Sequence, residues 1–224
     1  MGEGEIVKTL AGLIEAVRVH WSTRVAVDGP DAGGKTTLAD AVASILRARG
    51  RTVIRATVDD FQRPRADRYR RGEYSPEGYY RDSFDYATLK RLLLDPRRPD
   101  GDRTYRTAAF DYLRDREQLG ADGVAPPDAV LIVDGVFSLR PELVTEWDFS
   151  IFVSATSDET LRRALMRDGM LFGSTDEVER RYRQRYIPAQ ELYFREARPA
   201  ELAAVVVNND DPTKPSLRVA GHSI

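Results

Sequence analysis

The chain has 224 residues, of which 42% are hydrophobic and 31% are charged, with a formal net charge of -2 and no cysteine. This composition fits one soluble globular domain, with or without a small lid, and the charge balance argues against a general nucleic-acid binder. Disulfides, thiolate metal sites and cysteine nucleophiles are excluded. The apolar runs are too short to span a bilayer and residues 1–10 show no signal-peptide pattern, so we expect a cytoplasmic protein without a membrane or nucleic-acid partner.

The first half of the chain begins with helix and strand patterns that alternate. Apolar residues at helical spacing predict an amphipathic helix over 5–19, and a β-branched run predicts a first strand over 24–27. A helix over 36–49, which ends at Gly50, and a strand over 51–58 follow.

The middle of the chain is less regular. Arginines and tyrosines alternate in residues 62–82 without a simple period, which favours a functional loop with short helical pieces. A helix is predicted over 86–94, because Asp95-Pro96 ends it. Residues 96–103 and 120–127 are rich in turn-forming residues and predict connections.

The second half returns to alternating strands and helices. Apolar runs predict strands at 129–133, 149–153 and 203–207. Thr156 and Glu159 form a capping box for a helix that continues to Arg167, and a long helix over 175–197 is expected to bend at Pro188. Strands that alternate with helices predict an α/β fold with a parallel sheet covered on both faces.

The strongest motif is Gly-Pro-Asp-Ala-Gly-Gly-Lys-Thr at residues 29–36, which matches the phosphate-binding P-loop between a strand and a helix. Its glycines let backbone N–H groups face an anion, and the following helix adds its positive end. We expect Lys35 to reach the β- and γ-phosphates and Thr36 to ligate Mg²⁺. The predicted nucleotide-binding residues of this segment are Gly29, Asp31, Ala32, Gly33, Gly34, Lys35, Thr36 and Thr37.

Three carboxylates follow predicted strands, where ligands bind in an open parallel sheet. Asp59 and Asp60 follow the second strand, and Asp134 follows the strand at 129–133. Asp59 is our candidate base for the acceptor hydroxyl, and Asp134 is our candidate for the Mg²⁺ side, directly or through water.

Two arginine runs have different expected roles. Arg163 and Arg167 share a helix face and are candidates for nucleotide phosphate binding and catalysis, ahead of a lid hinged near Gly169 and Gly173. Arg162 is expected to form a solvated ion pair. We predict that most of the second run, Arg180, Arg181, Arg183 and Arg185, forms a solvated face, whereas the arginine–tyrosine cluster at 63–81 is a candidate acceptor site.

Taken in order, the segments GPDAGGKTTLA, VDDF, DGVF, LRRALMRD, YIPAQELY and VVVNN resemble the uridine kinase family, over residues 24–209. That family is related to phosphoribulokinase and pantothenate kinase. The resemblance implies a three-layer P-loop nucleoside-triphosphate hydrolase-type fold with a five-stranded parallel sheet and a mobile lid. It also implies that Asp59 is the catalytic base, that Asp134 lies on the nucleotide side, and that Arg163 and Arg167 are lid arginines.

The same resemblance assigns Tyr105 and Phe110 to a stretch that binds the nucleobase. The sequence departs from the family there, since YRTAAFDYLRD contains no histidine, and Asp82 matches the ribose-binding aspartate only loosely. The candidate acceptor-binding residues are Asp59, Phe61, Arg63, Tyr79, Asp82, Tyr105 and Phe110.

The sequence therefore predicts an ATP- and Mg²⁺-dependent kinase with Asp59, Lys35, Arg163 and Arg167 as its catalytic residues. A uridine- or cytidine-like nucleoside is the first choice of small-molecule acceptor. Pantothenate-, sugar- or phosphoribulose-like acceptors, including anionic ones, and a nucleotide-binding regulatory module with little turnover are the alternatives. We expect an N-terminal helix in 1–20, a kinase domain over 21–210 and a tail over 211–224, with the lid at 163–175 and the acceptor region at 62–112. A homo-oligomer is left open.

Overall fold

The structure is a computed structural model that describes residues 2–220 and the backbone of residues 222–223. Its α-helices are α1 (Glu3–Ala16), α2 (Lys35–Ala48), α3 (Arg65–Arg68), α4 (Pro76–Asp82), α5 (Tyr86–Leu89), α6 (Ser157–Arg167), α7 (Gly169–Phe172), α8 (Thr175–Arg181), α9 (Ile187–Ala197) and α10 (Pro199–Leu202). Its strands are β1 (Thr23–Asp28), β2 (Val53–Thr57), β3 (Thr104–Arg106), β4 (Phe110–Asp111), β5 (Arg116–Glu117), β6 (Asp122–Val124), β7 (Val130–Asp134), β8 (Phe149–Ser154), β9 (Val205–Asn208), β10 (Ser216–Val219) and β11 (His222–Ser223). None of the helices in the described part is long and apolar enough to cross a membrane.

The central sheet contains five parallel strands in the order β9-β8-β1-β7-β2. The predicted five-stranded parallel sheet is therefore confirmed. Strand β10 pairs antiparallel with β9, and β11 pairs antiparallel with β10. The predicted separate tail over 211–224 is corrected in its described part, because Leu217 is buried in the core and β10 extends the sheet.

Two hydrophobic cores cover the two faces of this sheet. On one face, α1 and α2 pack against the strands through residues such as Leu10, Ile14 and Leu46, which have at most 1% of their surface exposed. On the other face, α4, α5 and α9 pack around Phe137 and other aromatic side chains. Strand β7 is buried along its whole length because helices lie on both sides of it. The N-terminal helix therefore belongs to the same folded unit as the P-loop.

Helix boundaries differ from the sequence-based prediction in several places, including the predicted helix over 86–94, which is divided into α5 and a π-helical turn (Lys90–Leu94). Helix α1 ends at Ala16 because Val17 is already extended, so the predicted end at residue 19 is too late. The predicted helix over 175–197 is divided into α8, a π-helical turn (Tyr182–Tyr186) and α9. The turn directly precedes Pro188, which has no N–H to donate, so widening the helix there replaces the predicted simple bend.

The segment between α5 and β7 contains two short antiparallel strand pairs, one enclosed by the other, and only β6 lies in a predicted connection, 120–127. Strand β3 pairs with β6, and β4 pairs with β5. These strands have only two or three residues each, which is too short for period-2 alternation to be recognised in the sequence.

Candidate active site

The P-loop connects β1 to α2, as predicted. Gly29 has φ +150°, and a Cβ at that position would lie 2.3 Å from the carbonyl oxygen of Val153. Gly34 has φ +96°, and a Cβ there would lie 2.5 Å from Nδ2 of Asn209. The P-loop therefore requires glycine at both ends, because its backbone has positive φ there and passes close to Val153 and Asn209.

The ammonium group of Lys35 lies inside this loop. Its side chain is buried, and Nζ donates a hydrogen bond to the carbonyl oxygen of Pro30 at 2.7 Å. Among the described residues, no carboxylate forms an ion pair with Lys35. A buried cation that contacts only a neutral oxygen provides a favourable position for a phosphate group.

Strand register brings Asp134 to the start of α2. Asp134 at the end of β7 pairs with Val27 of β1 and Thr57 of β2. Its Oδ2 accepts a hydrogen bond from the Thr36 hydroxyl at 2.5 Å, and its Oδ1 accepts from Arg55 at 2.7 Å. The two residues that the sequence predicts as Mg²⁺ ligands are therefore neighbours.

These two residues form an oxygen-donor set that suits Mg²⁺, which keeps several waters and uses few protein ligands. The described residues contain no cluster of three or more acidic, histidine or cysteine side chains that could enclose a metal alone. A nucleotide-bound Mg²⁺ does not need such a cluster, because phosphate oxygens complete its shell. The residues present therefore fit a magnesium ion that arrives with a nucleotide.

Asp59 lies just beyond the end of β2, in the 3-10 turn Val58–Phe61. Its backbone N–H donates to the Thr57 hydroxyl at 3.3 Å, which holds the turn at the strand end. Burial, together with the negative charge of Asp31, raises the pKa of Asp59 to about 6, although the charge of Lys35 acts in the opposite direction. A carboxylate that titrates near neutral pH can accept a proton from a hydroxyl group.

An open cleft of about 390 Å³ lies between the P-loop, the Asp59 turn and helices α7 and α8. Asp59, Tyr79 and Arg167 are the predicted acceptor-side and lid residues that line it, and Asp31 is its P-loop member. The Tyr79 hydroxyl donates to Asp31 Oδ2 at 2.9 Å. The remaining lining residues are Gln62, Arg65, Arg68, Tyr69, Ser83, Tyr112, Leu113, Asp168, Leu171, Phe172, Arg181, Tyr182, Arg185 and Tyr186.

The two predicted lid arginines lie in different surroundings. Arg167 pairs with Asp168 at 2.6 Å and keeps 63% of its side chain exposed in the cleft. Arg163 donates to the carbonyl oxygens of Gly33 and Asp210 and pairs with Glu159 at 2.6 Å. Arg163 therefore connects Gly33 of the P-loop to Asp210 through hydrogen bonds on the outer side of the loop. Arg162 forms the exposed ion pair that was predicted, with Glu159.

Five predicted acceptor residues lie away from the cleft wall. Phe61 is 1% exposed and belongs to the core, and Phe110 is buried in β4. Tyr105 in β3 packs against the core beside Gly123. Neither member of the aromatic pair that the resemblance assigns to a nucleobase therefore lines the cleft.

The two charged residues of that group have structural partners. Arg63 donates to the carbonyl oxygen of Phe84 at 3.2 Å. Asp82 pairs with Arg70 and Arg71, each at 2.6 Å, while its own side chain is 5% exposed. Hydrogen bonds from the two guanidinium groups hold the pKa of Asp82 below its usual value, although burial acts against them.

Sequence reasoning missed several residues of the site. Arg181 and Arg185 were expected on a solvated face with their neighbours, but both line the cleft and Arg185 is 2% exposed. Arg180 and Arg183 are exposed, as predicted. The spacing of Tyr182, Arg185 and Tyr186 was the available signal, because arginine beside tyrosine on one helix face is unlike a purely solvated run.

Asp28, like Asp59, is a buried carboxylate near the P-loop, but the sequence-based prediction did not identify it. It ends β1, accepts from the Gly29 N–H at 2.7 Å, and accepts a short hydrogen bond from the Tyr193 hydroxyl. Burial raises the pKa of Asp28 to about 6, against the effect of its hydrogen-bond donors. Asp28 therefore joins the P-loop entry to α9.

A second pocket, of about 220 Å³, lies on the outer side of the P-loop. Thr37, which was predicted to bind the nucleotide, lines this pocket with Arg163. Helix α1 contributes Glu3 and Ile6. The other lining residues are Gly34, Leu38, Val153, Val207, Asn209, Pro212 and Pro215.

Comparison with known sequences gives three significant relatives, while no protein-family model matches the chain. The chain is 31% identical over 147 residues to uridine-cytidine kinase B of Dictyostelium discoideum, an alignment that covers 64% of this chain but 57% of that protein. It is 24% identical over 174 residues to uridine kinase of Mycoplasma pneumoniae, covering 75% of this chain and 78% of that protein. The chain thus spans little more than half the length of the Dictyostelium relative.

Solved structures show the same fold. A possible uridine kinase from Bacillus stearothermophilus superposes with a TM-score of 0.71 at 22% identity, covering 90% of this chain and 97% of that one. D-glycerate 3-kinase from Cryptococcus neoformans superposes with a TM-score of 0.62 at 13% identity, covering 96% and 97%. At these identities the structural matches establish the three-layer α/β fold.

Proposed function

We propose that the chain, which is similar to uridine kinases and shares the fold of P-loop kinases, transfers the γ-phosphoryl group of ATP to a hydroxyl group of a small metabolite. The observation that carries this proposal is the common cleft of Asp59 and the P-loop. Asp31 of the loop and Asp59 line the same wall. A hydroxyl group bound at Asp59 would therefore face a nucleotide held by the loop.

The P-loop would bind the triphosphate through its backbone N–H groups and Lys35. The ammonium group needs only to exchange its hydrogen bond to Pro30 for phosphate oxygens. The smaller pocket beside Thr37 and Arg163 would take the nucleobase, since it lies on the side of the loop opposite Asp59.

Thr36 and Asp134 would hold Mg²⁺, Thr36 through its hydroxyl and Asp134 through its carboxylate or an intervening water. When bound, the ion neutralises phosphate charge. Arg55 orients Asp134 by donating to its other carboxylate oxygen.

Asp59 would accept the proton of the acceptor hydroxyl as phosphoryl transfer proceeds. The charge on the transferring group would be stabilised by Lys35 and by Arg167, whose guanidinium is exposed in the cleft. Helix α7 and its neighbours form one wall of the cleft, and closing them over the ligands would exclude water from the phosphoryl group.

Two classes of acceptor are candidates, nucleosides and hydroxy acids. The names of the curated relatives favour a nucleoside, whereas D-glycerate 3-kinase among the structural neighbours is named for a hydroxy acid. The positions of Tyr105 and Phe110 outside the cleft give no support to nucleobase stacking by those residues.

The proposal is tested by incubating the protein with ATP, Mg²⁺ and a panel of nucleosides, sugars and hydroxy acids, and by identifying the phosphorylated product. Asp59→Asn should lower turnover by about 10²- to 10⁴-fold. Asp60→Asn is the matched control, because Asp60 is the neighbouring carboxylate and accepts from Gln118. If Asp59→Asn keeps most of the turnover, Asp59 is not the base. Tight ATP binding without transfer to any acceptor would instead support a nucleotide-binding regulatory module.

A further inference from the structure

The cleft beside Asp59 carries an excess of positive charge. Three carboxylates line it, Asp31, Asp59 and Asp168. Five arginines line it, Arg65, Arg68, Arg167, Arg181 and Arg185. An arginine in a cleft is informative about a ligand only when nothing in the protein neutralises it, so the partners of each one decide the matter.

Arg185 is a buried cation with neutral partners. Its side chain is 2% exposed, and its guanidinium donates to the carbonyl oxygens of Glu73, Ser75 and Arg68 at 3.0 to 3.2 Å. The Ser83 hydroxyl accepts a further hydrogen bond at 3.3 Å. Within the part of the chain that the structure describes, no carboxylate forms an ion pair with Arg185. Burial lowers the pKa of Arg185.

Arg68 is the second incompletely satisfied cation. It is 5% exposed, and its Nη atoms donate to Gln62, to the Tyr112 carbonyl and to Asp115. Asp115 is its one carboxylate partner within the described chain, at 3.2 Å, and is itself 37% exposed. The Nε of Arg68 is buried and has no hydrogen-bond partner among the described residues.

Arg65 is exposed, and the remaining two arginines of the cleft are paired with carboxylates. Arg167 has Asp168, and Arg181 has Glu73 and Glu177. Of the two buried arginines of the cleft, Arg185 therefore has no carboxylate partner among the described residues, and Arg68 has only the partly exposed Asp115.

Tyr79 connects this charge to the reacting end of the cleft. The guanidinium of Arg185 lies 5.3 Å from the centre of the Tyr79 ring. The hydroxyl of the same tyrosine donates to Asp31, and Asp59 is among the charges that raise its pKa. A ligand anchored beside Arg185 would thus extend across Tyr79 to Asp59 and the P-loop.

We infer that the acceptor carries an anionic group of its own, a phosphate or a carboxylate, which Arg68 and Arg185 bind while its hydroxyl group lies at Asp59. A guanidinium fork suits either group, because both present paired oxygens. The cleft of about 390 Å³ suits a small phosphorylated polyol or hydroxy acid. The transfer step rests on the proposed function, but binding of the anion does not.

The activity test uses matched pairs that differ only in the anionic group, namely glycerol with glycerol 3-phosphate and with glycerate, and ribose with ribose 5-phosphate. We expect kcat/KM for the best anionic member to exceed that of its neutral partner by at least about 100-fold. Arg185→Gln should remove at least about tenfold of that preference, mainly through KM for the anionic member. Arg183→Gln is the matched control on the same helical segment, since Arg183 is exposed and paired with Glu179. Arg68→Gln gives a second test in case Arg185→Gln fails to fold.

A binding test separates this inference from the proposed function. Calorimetry without ATP is done on the Lys35→Ala variant, so that the P-loop does not capture the phosphate group of the probe. Tighter binding of an anionic member than of its neutral partner, reduced by Arg68→Gln and unaffected by Arg183→Gln, supports the inference even if no phosphoryl transfer is found. Glycerate and glycerol 3-phosphate then distinguish a carboxylate from a phosphate. Equal binding of charged and neutral partners, or transfer only to neutral acceptors, would overturn it.

Discussion

The hydroxyl of Thr36 donates a hydrogen bond to Asp134 across 2.5 Å, although 98 residues separate the two in the sequence. The contact joins the first turn of α2 to the carboxyl end of β7. Asp134 is also held by Arg55. One oxygen of the carboxylate is thus held by a cation, and the other accepts from Thr36, the proposed Mg²⁺ ligand of the P-loop.

Asp134→Asn should therefore raise the Mg²⁺ concentration needed for half-maximal nucleotide binding by about 10- to 100-fold, since neutral amide oxygen is the weaker ligand. Titration of Mg²⁺ at fixed ATP measures the change. Asp40→Asn is the control, because Asp40 is the exposed second partner of Arg55. Equal effects of the two substitutions would show that Asp134 acts only through Arg55.

The raised pKa of Asp59 predicts a pH profile for catalysis. Because the ionised form is the base, kcat/KM should rise about tenfold per pH unit up to about pH 6 and then level off. Asp59→Asn should lose this inflection together with most of the activity. Titration of a substrate would persist in both proteins, so an inflection that survives the substitution would be evidence against Asp59.

Ionisation of Asp59 should lower the stability of the folded protein at high pH. Its pKa is higher in the folded protein than in the unfolded chain, so the unfavourable ionisation develops as the pH rises through about 6. Asp59→Asn should accordingly melt at a higher temperature than the wild type at pH 8, with a difference that shrinks towards zero near pH 4. Thermal melts at several pH values measure this, and a pH-independent difference would contradict it.

Gly34 should tolerate no side chain. Gly34→Ala combines a positive φ with a 2.5 Å approach to Asn209, so we expect loss of at least about tenfold in nucleotide affinity. Gly50 has φ +83° with open space around it. Gly50→Ala should therefore cost about 1 to 2 kcal/mol of unfolding free energy and leave affinity unchanged. Calorimetry with MgATP and urea unfolding distinguish the two, and similar affinity losses would refute the steric argument.

Asp82 should act in stability and not in acceptor binding. Asp82→Asn removes a buried charge from two arginines and should cost about 1 to 3 kcal/mol at pH 7, without changing KM for the acceptor. Since its pKa is lowered on folding, this cost should diminish as the pH falls below about 4. Glu77→Gln in the same helix, which breaks an exposed pair with Arg81, should cost less than about 1 kcal/mol. A raised KM at unchanged stability would restore the predicted substrate role.

The parts of the site that the sequence predicted are those fixed by local geometry. The P-loop motif, the strand ends at Asp59 and Asp134, and the Thr156 cap of α6 all follow from spacing within a few residues. The alternation of strands and helices was likewise enough to give the parallel sheet.

The acceptor side could not be predicted in the same way, because its residues come from segments that meet only after packing. Arg68 and Arg185 are 117 positions apart, and Arg185 reaches the cleft only because a wide helical turn presents it there. Phe61 and Phe110 have the chemistry of ligand-binding residues but satisfy the hydrophobic core instead. All four side chains are buried, and what distinguishes the two pairs is whether they lie beside the cleft, which a single sequence does not reveal.

The wide turn at Tyr182–Tyr186 makes the length of this helix as important as its composition. Residues before and within the turn line the cleft. Tyr193, which follows the turn in α9, donates a hydrogen bond to Asp28 at the start of the P-loop. Deleting one residue from the turn would rotate everything after it by about 100° relative to everything before it. The phosphate-binding and acceptor-binding halves of the cleft would then lose their alignment, even if every side chain that touches a ligand were retained.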